Sequence, residues 1–282
     1  MKRQVIQTVT GAQSIDGAGV HLVRVLGPNE VKLYDPFLML DAFDSKNPAD
    51  YIKGFPFHPH RGIETVTYLM KGEIDHEDSL GNKGTIRNGE SQWMTAGSGI
   101  LHQEMPQPSE HLLGLQLWVN LPQADKMTVP KYFDITNEMV KEVEEPFGNV
   151  RVISGEYNGH TGVKGHHVDM RMLDIKIKPG ESFSLNTDPE KTLFVYIVEG
   201  EGYFGDDKEK AYPSKMAALF SKDEVFYAEA GKDGIHFVLF EALPLNEPIV
   251  WGGPIVMNTR DELDMAFFEL RSGSFIKHKI HN

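Results

Sequence analysis

Gly54-Phe-Pro-Phe-His58-Pro-His60-Arg-Gly-Ile-Glu64 holds two histidines that stand two residues apart. Along a β-strand, residues i and i+2 point to the same face, so both imidazoles would aim at one point. A second stretch, Trp93-Met-Thr-Ala-Gly97-Ser-Gly99-Ile-Leu-His102-Gln-Glu104, repeats that spacing with His102 and Glu104. Three imidazoles and one carboxylate arriving from two strands make a mixed N/O site suited to a divalent first-row transition metal. Gly72 closes the strand that follows the first motif. Two histidine-bearing strands joined through Gly-rich turns are what a small β-barrel needs to hold a metal inside.

The rest of the chain agrees with an all-β fold carrying a few short helices. Runs such as Gly19–Leu26, Glu64–Met70 and Gly114–Asn120 are apolar or alternating and are bounded by turn residues. The clearest helix opens with Thr259-Arg-Asp-Glu262, a capping-box pattern, and Gly273 would end it. A weak internal repeat is present: Thr67-Tyr-Leu-Met-Lys-Gly72 is echoed by Val195-Tyr-Ile-Val-Glu-Gly200, and Leu117–Pro122 by Leu239–Pro244. Two copies of one barrel are expected, residues 1–138 and 139–282, the second carrying the C-terminal helix. Aligning the copies on Gly72 and Gly200 sets Asn186 opposite His58 and Asp188 opposite His60. The second barrel is therefore expected to have lost its metal.

Several ordered motifs carry a family resemblance. Asp35-Pro-Phe-Leu-Met-Leu-Asp41, Phe57-His-Pro-His60-Arg-Gly62, Met94-Thr-Ala-Gly97, His102-Gln-Glu104-Met, Gly114-Leu-Gln-Leu-Trp-Val-Asn-Leu-Pro122 and Gly252-Gly-Pro-Ile-Val-Met-Asn258 together resemble the pirins, which are bicupins of the cupin superfamily. The resemblance implies two cupin barrels and a metal held by His58, His60, His102 and Glu104. It also implies quercetin 2,3-dioxygenase activity, with a small aromatic substrate and O₂ as partners. Iron is the metal the family suggests; copper, nickel, manganese, cobalt and zinc are the alternatives. The broader cupin pattern would instead take its carboxylate from Glu64, four residues past His60. Strand parity alone separates neither candidate, and the pirin resemblance assigns Glu104 as ligand and base, leaving Glu64 a supporting carboxylate. Two rival readings remain: a metal- or redox-sensing regulator acting through a protein partner, as eukaryotic pirins imply, and a cupin isomerase.

Composition narrows the setting. With 282 residues, 40% hydrophobic and 24% charged, the chain reads as an ordinary globular protein. A net charge of −13 disfavours direct nucleic-acid binding, since phosphate attracts clusters of Lys and Arg. Cysteine is absent, which excludes thiolate ligands and disulfides. No apolar run suits a membrane span or the core of a signal peptide, so a cytoplasmic location is expected, or a nuclear one in a eukaryote. His76, His111, His160 and His236 are isolated and read as structural, His166-His167 points to opposite faces, and His278 and His281 read as solvated tail residues. Met39, Met70 and Met94 read as core filling. Ser98, in Ala-Gly-Ser-Gly-Ile, lacks the spacing of a nucleophile elbow.

Overall fold

The computed structural model describes residues 1–278; His281 lies outside them. The first half of the chain forms β1 (Val5–Val9), β2 (Ala12–Asp16), β3 (Val20–Leu26), the single-turn helix α1 (Val31–Tyr34), β4 (Phe37–Ser45), β5 (Phe55–His60) and β6 (Ile63–Lys71). It continues through β7 (Ile74–Asp78), β8 (Lys83–Ile86), β9 (Ser91–Thr95), β10 (Ile100–Pro106), β11 (Leu112–Asn120) and β12 (Lys131–Ile135). Further strands follow, and α2 (Arg260–Ser272) is the one long helix among the described residues. Helix α2 starts where the capping-box pattern places it. Thr259 Oγ1 accepts from the Glu262 N–H, the Glu262 carboxylate accepts from the Thr259 N–H, and Gly273 ends the helix at φ 75°. Such a cap is worth about 1 kcal/mol.

The chain divides into two units, each assembled from discontinuous segments. One contains residues 12–31, 37–136 and the stretch from Leu245 onward; the other contains Met1–Gly11, Lys32–Pro36 and Asn137–Pro244. Two segments cross the expected boundary at 138/139. The N-terminal strand β1 pairs with Met216–Phe220 and belongs to the unit of the second half. Helix α2 belongs to the unit of the first half: Leu263 and Ala266 bury against Ile255, Met257 and Phe275, and Arg61 binds Glu269 and the Phe275 carbonyl. Both exchanges rest on contacts between residues far apart in sequence.

In the unit holding the histidines, two antiparallel sheets run in the orders β5-β10-β7-β8 and β12-β9-β6-β11-β4-β3-β2. Residues paired directly across antiparallel strands share a face, so the larger sheet can be read as rows. One row is Arg24–Asp41–Gln116–Thr67–Gln92–Asp134, six polar side chains on six successive strands. The neighbouring row on one side is mainly apolar, Met39–Trp118–Thr65–Met94–Tyr132. On the other side stand Phe43, Gly114 and Leu69. Gly114 is required there, because a Cβ would sit 2.5 Å from the Tyr68 carbonyl oxygen.

The other unit is built around Thr192–Phe204 and the long strand Val225–Ala242, in an antiparallel sheet. Its core is aromatic: Phe183, Phe204, Phe220, Phe226 and Phe237 are all buried, with neighbouring ring centroids 5.1–6.1 Å apart. Asn186 is exposed, and the Asp188 backbone oxygen accepts from Arg3 at 2.6 Å. Among the described residues these two form no cluster with histidines, and phenylalanines fill the interior.

Candidate metal centre

His58 and His60 lie on β5, and His102 lies on β10 directly opposite His58. One nitrogen from each ring falls within 4.8 Å of the other two, the spacing that lets one ion bind all three. Ring centroids stand 4.3 Å apart for His58 and His102, 4.8 Å for His58 and His60, and 5.0 Å for His60 and His102. Nδ1 of His58 meets the Pro56 carbonyl at 2.9 Å, and Nδ1 of His60 meets the Pro254 carbonyl at 3.1 Å. A carbonyl can only accept, so each Nδ1 carries the proton and each Nε2 keeps its lone pair for a metal. Burial, then the neighbouring His58, lowers the pKa of His60 to about 3. The same two causes, with His60 and His76 adding to them, hold His102 well below the usual imidazole range. Neutral imidazole is the form a metal binds.

His102 provides the test of fit. Both of its ring nitrogens are buried, and neither has a hydrogen-bond partner among the described residues. An unsatisfied buried polar atom costs about 1–3 kcal/mol. A cation held jointly with His58 and His60 removes that penalty, and the donor set of neutral imidazoles suits a divalent transition metal.

Glu104 is buried on β10, two residues past His102, but its carboxylate is not part of the close three-histidine cluster. Thr67 Oγ1 donates to its Oε1 at 2.8 Å, and Gln116 Nε2 donates to its Oε2 at 2.7 Å. Each oxygen keeps a further lone pair for another partner. Glu64 occupies a different place. It alternates with Thr67 along β6, so it faces away from Glu104, and it accepts from Trp93 Nε1 at 3.1 Å and Thr95 Oγ1 at 2.7 Å. The even spacing between His60 and Glu64 does not put them on one face, because Gly62, at φ 76°, interrupts the strand between them.

A cavity of about 670 Å³ opens against the histidines. His58 and His60 line it together with Trp118, Trp251, Gln116 and Arg24. Trp118 packs edge-on against His60, at 4.8 Å, and its ring lies 5.9 Å from Trp251. Arg24 reaches both Asp41 oxygens, at 3.0 and 2.8 Å, and Asp16 at 2.7 Å, so its charge is neutralised at the cavity wall. The space can take a planar aromatic molecule with polar substituents.

Other histidines behave differently. His76, read from sequence as isolated, is buried opposite Glu104 in the β7–β10 pair, touches Tyr132 Oη and stands 3.3 Å from Asp134. His111 pairs with Asp44 and His236 with Asp174, while His160 is exposed. Met39 and Met94 are buried; Met70 is half-buried. Sequence reasoning did not single out Gln116, Thr67 or Arg24. The available signal was Gln116, a polar residue inside the apolar strand Leu112–Asn120.

The family description Pirin matches residues 19–119, and Pirin C-terminal cupin domain matches residues 172–276. A pirin-like protein of Arabidopsis thaliana is 40% identical over 272 residues, covering 93% of this chain and 86% of the relative. The chain belongs to the pirin family. Human Pirin is 38% identical over 273 residues, covering 96% of this chain and 93% of that protein. A crystal structure of quercetin 2,3-dioxygenase from Acinetobacter baumannii superposes with a TM-score of 0.88 at 32% identity, covering 98% of this chain and 99% of that one. Its fold is thus the pirin bicupin, with two cupin domains. Among the described residues, no helix is long and apolar enough to cross a membrane.

Proposed function

We propose that this pirin is a metal-dependent dioxygenase that opens the central ring of flavonols such as quercetin with O₂, releasing carbon monoxide. The observation that carries this reading is the convergence of His58, His60 and the unpartnered His102, the first two lining an aromatic-walled cavity, with Glu104 buried two residues past His102 on β10. The likeness to the Acinetobacter quercetin 2,3-dioxygenase supports it. In this reading His58, His60, His102 and Glu104 hold one divalent metal, with iron the first choice. The metal, when bound, lowers the energy of the deprotonated flavonol and lets it meet O₂.

The chain's own groups do the rest. His58 and His60, fixed through their Nδ1 protons, present Nε2 in one orientation. Trp118 and Trp251 hold the flat substrate and exclude water. Glu104 takes the proton of the 3-hydroxyl as general base, a role usually worth about 10²–10⁴ in rate. Thr67 and Gln116 keep its carboxylate from rotating. The test is oxygen uptake with quercetin by the iron-loaded chain, with carbon monoxide trapped and measured. Uptake matched by carbon monoxide supports the reading. No oxygen uptake by fully metal-loaded protein would overturn it and favour the regulator acting through a protein partner.

A further inference from the structure

The row Arg24–Asp41–Gln116–Thr67–Gln92–Asp134 crosses the face that carries the cavity wall, and its first three members line the cavity. Gln116 is the member with two neighbours of different kinds. Its amide nitrogen donates to Glu104 Oε2 at 2.7 Å and to Thr67 Oγ1 at 3.2 Å. A carboxylate can only accept, so the amide is fixed with its nitrogen inward. Its carbonyl oxygen has no partner among the described residues, and the side chain lines the cavity. Thr67 completes the arrangement: its hydroxyl accepts from Gln116 at 3.2 Å and donates its own O–H to Glu104 Oε1 at 2.8 Å.

We infer that Gln116 is a positioning residue with two faces, accepting a ring hydroxyl of the substrate on its carbonyl oxygen while its amide hydrogens fix the carboxylate of Glu104. This rests on the flavonol reading for the substrate and on the geometry alone for the hold on Glu104. Hydrogen bonds in a chain polarise one another, so a hydroxyl donated to the carbonyl strengthens the amide's grip on Glu104. The site would thereby favour neutral polyhydroxylated aromatics over rings bearing only the 3-hydroxyl. Asp16 and Asp41, which neutralise Arg24, leave no free cation in the row to attract an aromatic carboxylate.

The experiment uses the full chain loaded with Co(II), in the unmutated form and as Gln116→Leu and Gln116→Glu. Three quantities are read: the visible cobalt spectrum, the cobalt dissociation constant, and anaerobic binding of quercetin against 3-hydroxyflavone. Gln116→Leu should alter the spectrum and weaken cobalt binding by about tenfold or more, the scale for losing a group that orients a ligand. It should also lose the preference for quercetin. Gln116→Glu keeps an acceptor but has no amide hydrogen, so it should alter the spectrum while retaining the preference. Should Gln116→Leu fail to fold by circular dichroism, Gln116→Glu decides the matter through its spectrum. Native spectrum, native cobalt affinity and native preference in a folded variant would overturn the inference. An altered spectrum, with no oxygen uptake by the unmutated iron protein, would support the hold on Glu104 and overturn only the dioxygenase reading.

Discussion

His58 and His102 face one another directly across β5 and β10, with ring centroids 4.3 Å apart. Cross-strand pairing brings them together, and His60 joins from the same face of β5. The buried apolar clusters of this unit are built from side chains such as Leu22, Phe43, Leu69, Met94 and Trp118, which carry its stability. His102→Ala should therefore abolish tight metal binding while leaving a folded protein. Elemental analysis alongside circular dichroism checks it, and a full metal complement in the variant would remove His102 from the site.

The two units should differ in metal content, with one tightly bound ion per chain. The unit built on Thr192–Phe204 has its interior filled by phenylalanines, with Phe226 fully buried against Phe183, Phe204, Phe220 and Phe237. Phe226→Ala should cost about 3–5 kcal/mol, the usual scale for emptying such a site. Metal affinity should not change with it. Chemical denaturation and metal titration on the same variant separate these effects, and two equivalent ions per chain would contradict the asymmetry.

Burial of His60 and His102 predicts a pH dependence of the metal-free protein. The pKa of His60 falls to about 3 in the folded chain, against an ordinary value of about 6.5 when unfolded. Between these values the unfolded chain binds more protons, so stability rises with pH; it is complete above about 6.5 and is lost as pH falls. His102 shifts in the same direction. Each imidazole can contribute a slope of up to about 1.4 kcal/mol per pH unit. Denaturation of chelated protein between pH 5 and 6.5 should show this slope, reduced in His60→Asn. An equal slope in both proteins would remove His60 as its source.

Sequence reasoning succeeded where a single strand carries the information. The spacing of His58 and His60 within β5 needs only the two-residue period, and the α2 cap needs only Thr259, Glu262 and Gly273. It failed where the chain breaks or where strand order matters. Strand parity left both Glu64 and Glu104 open as ligands, because nothing in the spacing shows that Gly62 resets the alternation between His60 and Glu64. The row through Asp41, Gln116 and Thr67 joins residues from three strands whose adjacency no local pattern reveals. Likewise, alignment on Gly72 and Gly200 named Asn186 and Asp188 as substitutes, while the interior is filled by phenylalanines from several strands. The long-range pairing of β1 and packing of α2 were hidden for the same reason.

The choice between the two carboxylates gives the sharpest test of the proposed mechanism. Glu104→Gln keeps nearly the same shape, and its amide oxygen can still accept from Thr67 or Gln116, which donate to the native carboxylate at 2.8 and 2.7 Å. The neutral amide cannot take the substrate proton. Quercetin turnover per bound metal should therefore fall by about 10²-fold or more. Glu64→Gln changes a residue held by Trp93 and Thr95 on the face away from Glu104. Its amide disturbs those two buried hydrogen bonds, so it should lower stability by about 1–3 kcal/mol, with turnover per metal changed far less. Measuring activity per bound metal and denaturation midpoint for both variants separates catalytic loss from structural loss. If Glu64→Gln were the inactive variant and Glu104→Gln nearly normal, the base would have to be sought on the other face of β6, and Glu104 would lose its assigned role.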